Sequence, residues 1–295
     1  MAHNLKLTDM LMGVAVAIVW GMGLVFAKAA IAHFPPILLM SLRFCVTALA
    51  LVWFVKPPLS HLSALFWVSI VSAAIQYSFT FTGLKGLDAG VTSLVVQLEV
   101  PFLTLLGAVL LGEKTGFRKW FGIGLAFFGV ALIVGWPTGE VHMVSIALVI
   151  CGSFIWAVGQ IMVRRLNEID GLTVTAWVAV FAAPQLLVMS LLFETGQVDA
   201  IANAAPIVWI SVAYLGLVMT ALGYGLWFTL VRKHPVSMIA PFLLLLPLVS
   251  VLGGILFLGE ELALSSIIGG AVVLAGVGSI VFERPPKTSK AELGL

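Results

Sequence analysis

The stretch LLGAVLLGEK, Leu105 to Lys114, returns 147 residues later as LGGILFLGEE, Leu252 to Glu261, and that return decides the fold. At this offset Gly107 meets Gly254, Leu111 meets Leu258, Gly112 meets Gly259 and Glu113 meets Glu260. Downstream, Gly122 meets Gly269, Gly129 meets Gly276 and Val130 meets Val277. Apolar sequence matches itself at Leu and Val by chance, but a Gly-Glu pair with further glycines in register marks an internal duplication. The same offset brings Tyr77 onto Tyr224 and Phe81 onto Phe228, while an offset of 136 brings Trp20 onto Trp156, Gly23 onto Gly159 and Lys28 onto Arg164. The loop Glu194 to Pro206 takes up the difference.

Around this repeat the chain is apolar. Hydrophobic residues make up 61% and charged residues 9%, against roughly 45–50% and about 25% in soluble domains. A span needs roughly 20 apolar residues. Ten such runs are present, near 10–31, 37–55, 64–83, 91–111, 120–136, 143–163, 174–193, 207–230, 237–258 and 265–282. They are continuously apolar, so they read as helices; strands of a membrane barrel would alternate. The first run is too long for the apolar core of a signal peptide and reads as a retained span. The expected fold class is an all-α polytopic membrane protein whose repeats cover residues 1–142 and 143–282, followed by a polar tail, 283–295.

Lys and Arg set the expected orientation. With a cytoplasmic N-terminus the inner segments hold Lys6, Lys56, Lys114, Arg118, Lys119, Arg164, Arg165, Arg232, Lys233, Arg284, Lys287 and Lys290, and the outer loops hold Lys85. That bias puts both termini inside. Five spans per repeat is an odd number, so the second copy enters from the opposite side and the halves are inverted. Glu113 and Glu260 then lie on opposite sides, which points to a structural role: Gly112 and Gly259 as left-handed helix ends, with each acid near the next helix N-terminus. Inverted halves offer two packings around a site at their interface, the basis of alternating access.

The chain resembles the ten-span EamA branch of the drug/metabolite transporter superfamily along essentially its whole length. The resemblance is carried by VWGMGLVFAK (Val19 to Lys28), PPILLMSLRF (Pro35 to Phe44), LLGEK (Leu110 to Lys114), FGIGLAFFGV (Phe121 to Val130), YGLWFTL (Tyr224 to Leu230) and FLGEE (Phe257 to Glu261). Within the family it looks most similar to exporters of O-acetylserine and cysteine and of aromatic amino acids. The resemblance implies amino acid efflux across a bacterial inner membrane. Small multidrug relatives carry a proton-coupling Glu in the first span, and none stands there in this chain.

Polar groups inside spans are costly and mark function. Glu99 is the one carboxylate well inside a span, about 12 Å deep at ~1.5 Å per residue. Arg43 enters the second span from the same side, about 9 Å deep. Two readings of Glu99 follow: a structural pair with Arg43 or Lys28, or a titrating or substrate-ammonium role. Ser93, Gln97, Pro101 and Thr104 fall on one face of the fourth span. Pro101, Pro241 and Pro247 free backbone carbonyls, as walls of a cavity or by simple packing. Trp20, Trp156 and Gln160, with Gln76, Tyr77, Thr80 and Phe81 facing Tyr224, Trp227 and Phe228, supply rings and amides suited to a zwitterion with an apolar side chain. Each aromatic could equally just pack. Trp53, Trp120 and Trp136 read as interface anchors, and Lys28 and Arg164 as snorkelling cations.

Other functions find less support. Cys45 and Cys151 lie in apolar runs as small hydrophobes. All five histidines sit in tails, loops or span edges, and no HExxH or GxSxG motif is present, so neither an intramembrane enzyme nor a metal or other cofactor is expected. Basic residues are scattered and the formal charge is +2, which argues against nucleic acid. The expected partners are a small amino acid substrate and the bilayer, with protons a candidate coupling ion and a monomer favoured. The alternatives are a passive channel or facilitator, or a multidrug or purine-type exporter of the same superfamily.

Overall fold

In hydrocarbon every backbone N–H and C=O must find a partner within the chain, so apolar runs of this length take the helical form. The computed structural model describes residues 6–112, 115–134, 140–166, 168–234 and 236–282. Glu113, Lys114, Trp136 and the tail from Glu283 lie outside the described residues. Ten helices among the described residues are long and apolar enough to cross a membrane. They are Leu7–Ile31, Pro36–Phe54, Leu59–Lys85, Ala89–Leu110, Phe117–Val134, Met143–Arg164, Gly171–Phe193, Pro206–Leu230, Ala240–Leu258 and Leu264–Val281. The chain is an all-helical, ten-span membrane protein, each span within a few residues of its apolar run. A short helix, Gln197–Ala202, occupies the loop that absorbs the change of offset.

The spans pack in matched pairs. The fifth lies along the tenth, the second along the seventh, the first against the eighth and ninth, and the sixth against the third and fourth. Without a hydrophobic drive between helices in lipid, close approach depends on small residues. A Cβ on Gly122 would stand 2.7 Å from the Gly276 carbonyl, and one on Gly129 would stand 2.6 Å from the Val273 nitrogen. Gly269 and Gly276 meet the fifth span equally closely, at the Gly129 and Gly122 carbonyls. The four repeat-related glycines therefore cross in exchanged pairs. Gly23 of the first span sits against Met219 of the eighth, and its counterpart Gly159 of the sixth against Ser72 of the third. Ser72 and Met219 are themselves 147 residues apart.

Helix irregularities repeat at the same offset. The third span widens into a π-helix at Ile70–Ile75 and the eighth at Tyr214–Leu222. The fourth span breaks between Ala89–Val96 and Glu99–Leu111, and the ninth passes from a 3₁₀ segment, Ala240–Leu244, into a helix, Leu245–Gly253. Pro101 explains the first break: it cannot donate to the Gln97 carbonyl, which takes the Val100 N–H at 3.2 Å instead. Both turn glycines are left-handed, Gly112 at φ 65° and Gly259 at φ 68°.

The acid after the second of these turns does not serve the helix that follows it. Glu260 accepts from the Ala89 and Gly90 backbone N–H groups, at 2.6 and 3.2 Å, and so caps the fourth span from the other half. Lys28, near the end of its span, donates to the Leu84 and Lys85 carbonyls, each at 3.1 Å, closing the C-terminal end of the third span. Together they satisfy opposite helix ends beside one another, matching each end's partial charge. Glu194 likewise caps the second span through Ile37 and Leu38, at 2.8 and 3.0 Å.

A valine at Gly129 must push the tenth span away, and overpacking of this kind costs about 1–3 kcal/mol. Gly124, with nothing within 4 Å of its would-be Cβ, should accept valine without loss. Thermal melting of the two variants in detergent should separate them clearly, and equal melting temperatures would contradict the glycine crossing.

Candidate functional site

The wide turns of the eighth span free carbonyls that straight helix would consume. Trp20 Nε1 donates to one of them, the Met219 carbonyl, at 3.0 Å. Its ring lies 5.1 Å from Tyr224 and 5.8 Å from Trp227, and Tyr224 lies 5.7 Å from Phe228. Across the bundle the counterpart rings Tyr77 and Phe81 stack at 5.5 Å, with Phe44 edge-on to Tyr77 at 5.0 Å. Tyr224 lies within electrostatic range of Tyr77, Arg43 and Glu99, which links the two ring groups to both ionisable groups.

Arg43 is 1% exposed. Its Nε donates to Thr220 Oγ1 at 3.1 Å and Nη2 to the Tyr77 hydroxyl at 3.4 Å, with the Met40 thioether 3.8 Å from Nη1. The guanidinium stands over the Tyr77 ring at 4.8 Å and the Phe44 ring at 5.4 Å. Thr220 in turn donates to the Leu215 carbonyl, five residues back, as the wide turn permits. The structural pairing of Glu99 with Arg43 or Lys28 does not form. Arg43 is taken by neutral acceptors and Lys28 by helix-end carbonyls, because the third and eighth spans bring hydroxyl and carbonyl groups closer than the fourth brings its acid.

Other expected site residues divide between local and free. Gln76 donates to Thr80, leaving its Oε1 without a partner, and Gln97 Nε2 is likewise buried and unpartnered. Ser93 turns back to the Gly90 carbonyl, and Thr104 to Val100. Trp156 is half-buried on the sixth span. Gln160 opens with Thr104, Lys119 and Arg164 onto a cavity of about 470 Å³ at the end of the bundle that holds Leu7. A second cavity, of about 610 Å³, lies at the opposite end beside His33, Lys85 and Glu194. Gln160 thus belongs to an end cavity more than to the central rings.

Several residues escaped the sequence reading. Arg43 is visible in the sequence by its depth, as a partner for Glu99, but its contacts with Thr220 and Tyr77 are not. Thr220 and Tyr214 carried no signal; Tyr214 donates to the Val19 carbonyl at 3.1 Å and stacks on Phe26 at 4.1 Å. At the Leu7 end, Asp9 receives His234 Nε2 at 2.9 Å and Lys233 at 3.4 Å, tying the start of the first span to the end of the eighth. Cys45 and Cys151 are free thiols on the outer surface.

Comparison with known proteins agrees with this architecture. The EamA-like transporter family matches residues 7–135 and again residues 143–282. A Salmonella typhimurium protein named "Probable amino-acid metabolite efflux pump" is 30% identical over 93% of this chain and 95% of its own. Its namesake in Escherichia coli K12 is 28% identical over the same shares. A solved crystal structure superposes with a TM-score of 0.64 at 20% identity, covering 92% of this chain and 96% of that one, a likeness of fold.

Replacing Trp20 with phenylalanine keeps an aromatic ring but removes the hydrogen bond to the Met219 carbonyl, which typically contributes about 0.5–1.5 kcal/mol. Melting should report that loss for Trp20→Phe and almost none for Trp120→Phe, whose ring is exposed at a span end.

Proposed function

We propose that this chain, which belongs to the EamA-like transporter family, exports amino acids or related small metabolites across the bacterial inner membrane by alternating access. The observation that carries the reading is the repetition of the same helix breaks in both halves, on either side of the central rings and charges. A carrier needs two packings of nearly equal energy, and a duplicated, exchanged set of contacts supplies them. The exchanged glycine pairs support two repeats, 1–142 and 143–282, of inverted topology. The Lys and Arg distribution supports cytoplasmic termini.

The substrate class rests on two supports. The relatives' name points to amino acid metabolites. The central lining of Trp20, Tyr77, Phe81, Gln97, Glu99, Tyr224, Trp227 and Phe228 offers rings for an apolar side chain and few, unspent polar atoms for its charged end. Glu99 is read here as a receptor for the substrate ammonium, since no protein cation pairs with it among the described residues.

Proteoliposomes loaded with unlabelled amino acids should take up the labelled form faster than empty ones, because a carrier exchanges and a channel does not. Gln97→Ala should lower the initial rate by about tenfold, equivalent to losing one good polar contact. Absence of counterflow would replace the carrier with a passive pathway, and unchanged Gln97→Ala kinetics would remove the fourth span from the site. Repeating the assay across a pH gradient reads proton coupling directly.

A further inference from the structure

The geometry points to Arg43 as the receptor for the carboxylate of the substrate, so that the ligand class is a free α-amino acid held as a zwitterion between Arg43 and Glu99. This deepens the export reading and rests on it.

Arg43 carries a full charge at 1% exposure, and no carboxylate lies within ion-pair distance of it among the described residues. A guanidinium presents five N–H donors. Thr220 takes one, Tyr77 takes one through a long contact, and Nη1 meets a thioether, the weakest of acceptors. The two terminal nitrogens thus hold their present partners loosely. A carboxylate binds that edge through two parallel bonds and would displace the long contacts. Nε stays anchored on Thr220, which fixes the fork's direction.

A scaffold role does not account for the residue. At the matching place in the second half stands Ala179, fully buried at 0% exposure, and Leu246 stands where Glu99 does in the first. The second half thus carries neither charge at these positions. Arg43 is met by rings and neutral acceptors but by no anion, and Glu99 by no cation, among the described residues; an amphoteric ligand supplies both counter-charges at once. Tyr224 is near enough to Arg43, Glu99 and Tyr77 to interact electrostatically with each. The side chain of the ligand is then left to the rings of Trp20, Trp227 and Phe228.

The test is binding to the purified full chain in detergent, with each of the twenty common amino acids compared with its own α-carboxamide, which keeps the ammonium and loses the acid. The wild type should bind at least one free amino acid about tenfold or more tighter than its amide, the discrimination a charge-assisted fork supplies. Arg43→Gln should bring that ratio close to one while the amide binds as before. Arg43→Lys, which keeps the charge but not the fork, should retain part of the preference and serves if the glutamine variant does not fold. A wild-type ratio near one, or a ratio unchanged in Arg43→Gln or Arg43→Lys, overturns the carboxylate site and leaves amino acid transport standing. A wild type that binds no amino acid overturns the export reading itself, and the zwitterion site with it.

Discussion

A bilayer interior offers no water to finish a hydrogen bond, and most of this structure follows from that shortage. Every polar atom that enters the bundle either closes on the chain or stands out. Hydroxyls in the spans bend back to their own helix, as Ser93, Thr104 and Ser153 do. Helix ends are closed from neighbouring spans by Glu260, Glu194 and Lys28. Widened turns that release carbonyls find Trp20 waiting for one of them. Against this background the buried atoms without a partner, Gln76 Oε1, Thr92 Oγ1, Gln97 Nε2 and Trp177 Nε1, are conspicuous, as is Arg43, held only by neutral acceptors.

The same shortage shapes the packing. Helices in lipid gain nothing by hiding apolar surface from one another, so the long contact between the fifth and tenth spans rests on backbone approach at Gly122, Gly129, Gly269 and Gly276. Each half lends the other the glycine on which its π-turn sits, Gly23 for Met219 and Gly159 for Ser72. In the proposed alternating-access mechanism, such exchanged contacts would break and reform together, with the irregular segments as the places where backbone geometry changes most cheaply.

Much of this was legible in the sequence. The spans follow from apolar run length and the left-handed turns from Gly112 and Gly259, because these depend on local composition; the glycine register showed the repeat but not that its glycines cross. What was not legible depended on which groups meet across the bundle. Glu260 was placed beside its own downstream helix, whereas it caps a helix more than 150 residues earlier; sequence spacing holds no measure of that approach. Glu99 and Arg43 looked like partners because their depths agreed, yet depth says nothing of azimuth, and Thr220 and Tyr77 lay nearer to Arg43. The repeat itself showed that the charged pair is not duplicated, since Ala179 and Leu246 stand where Arg43 and Glu99 do.

Inverted topology is the claim on which the two-state mechanism stands, and labelling from outside intact cells tests it most directly. With Cys45 and Cys151 replaced by alanine, single cysteines would be placed at the repeat-related positions Gly116 and Ala263, both exposed. A membrane-impermeant maleimide should modify Ala263→Cys in intact cells and reach Gly116→Cys only after the membrane is opened. Modification of both from the same side would contradict inverted halves, and with them alternating access around a shared centre.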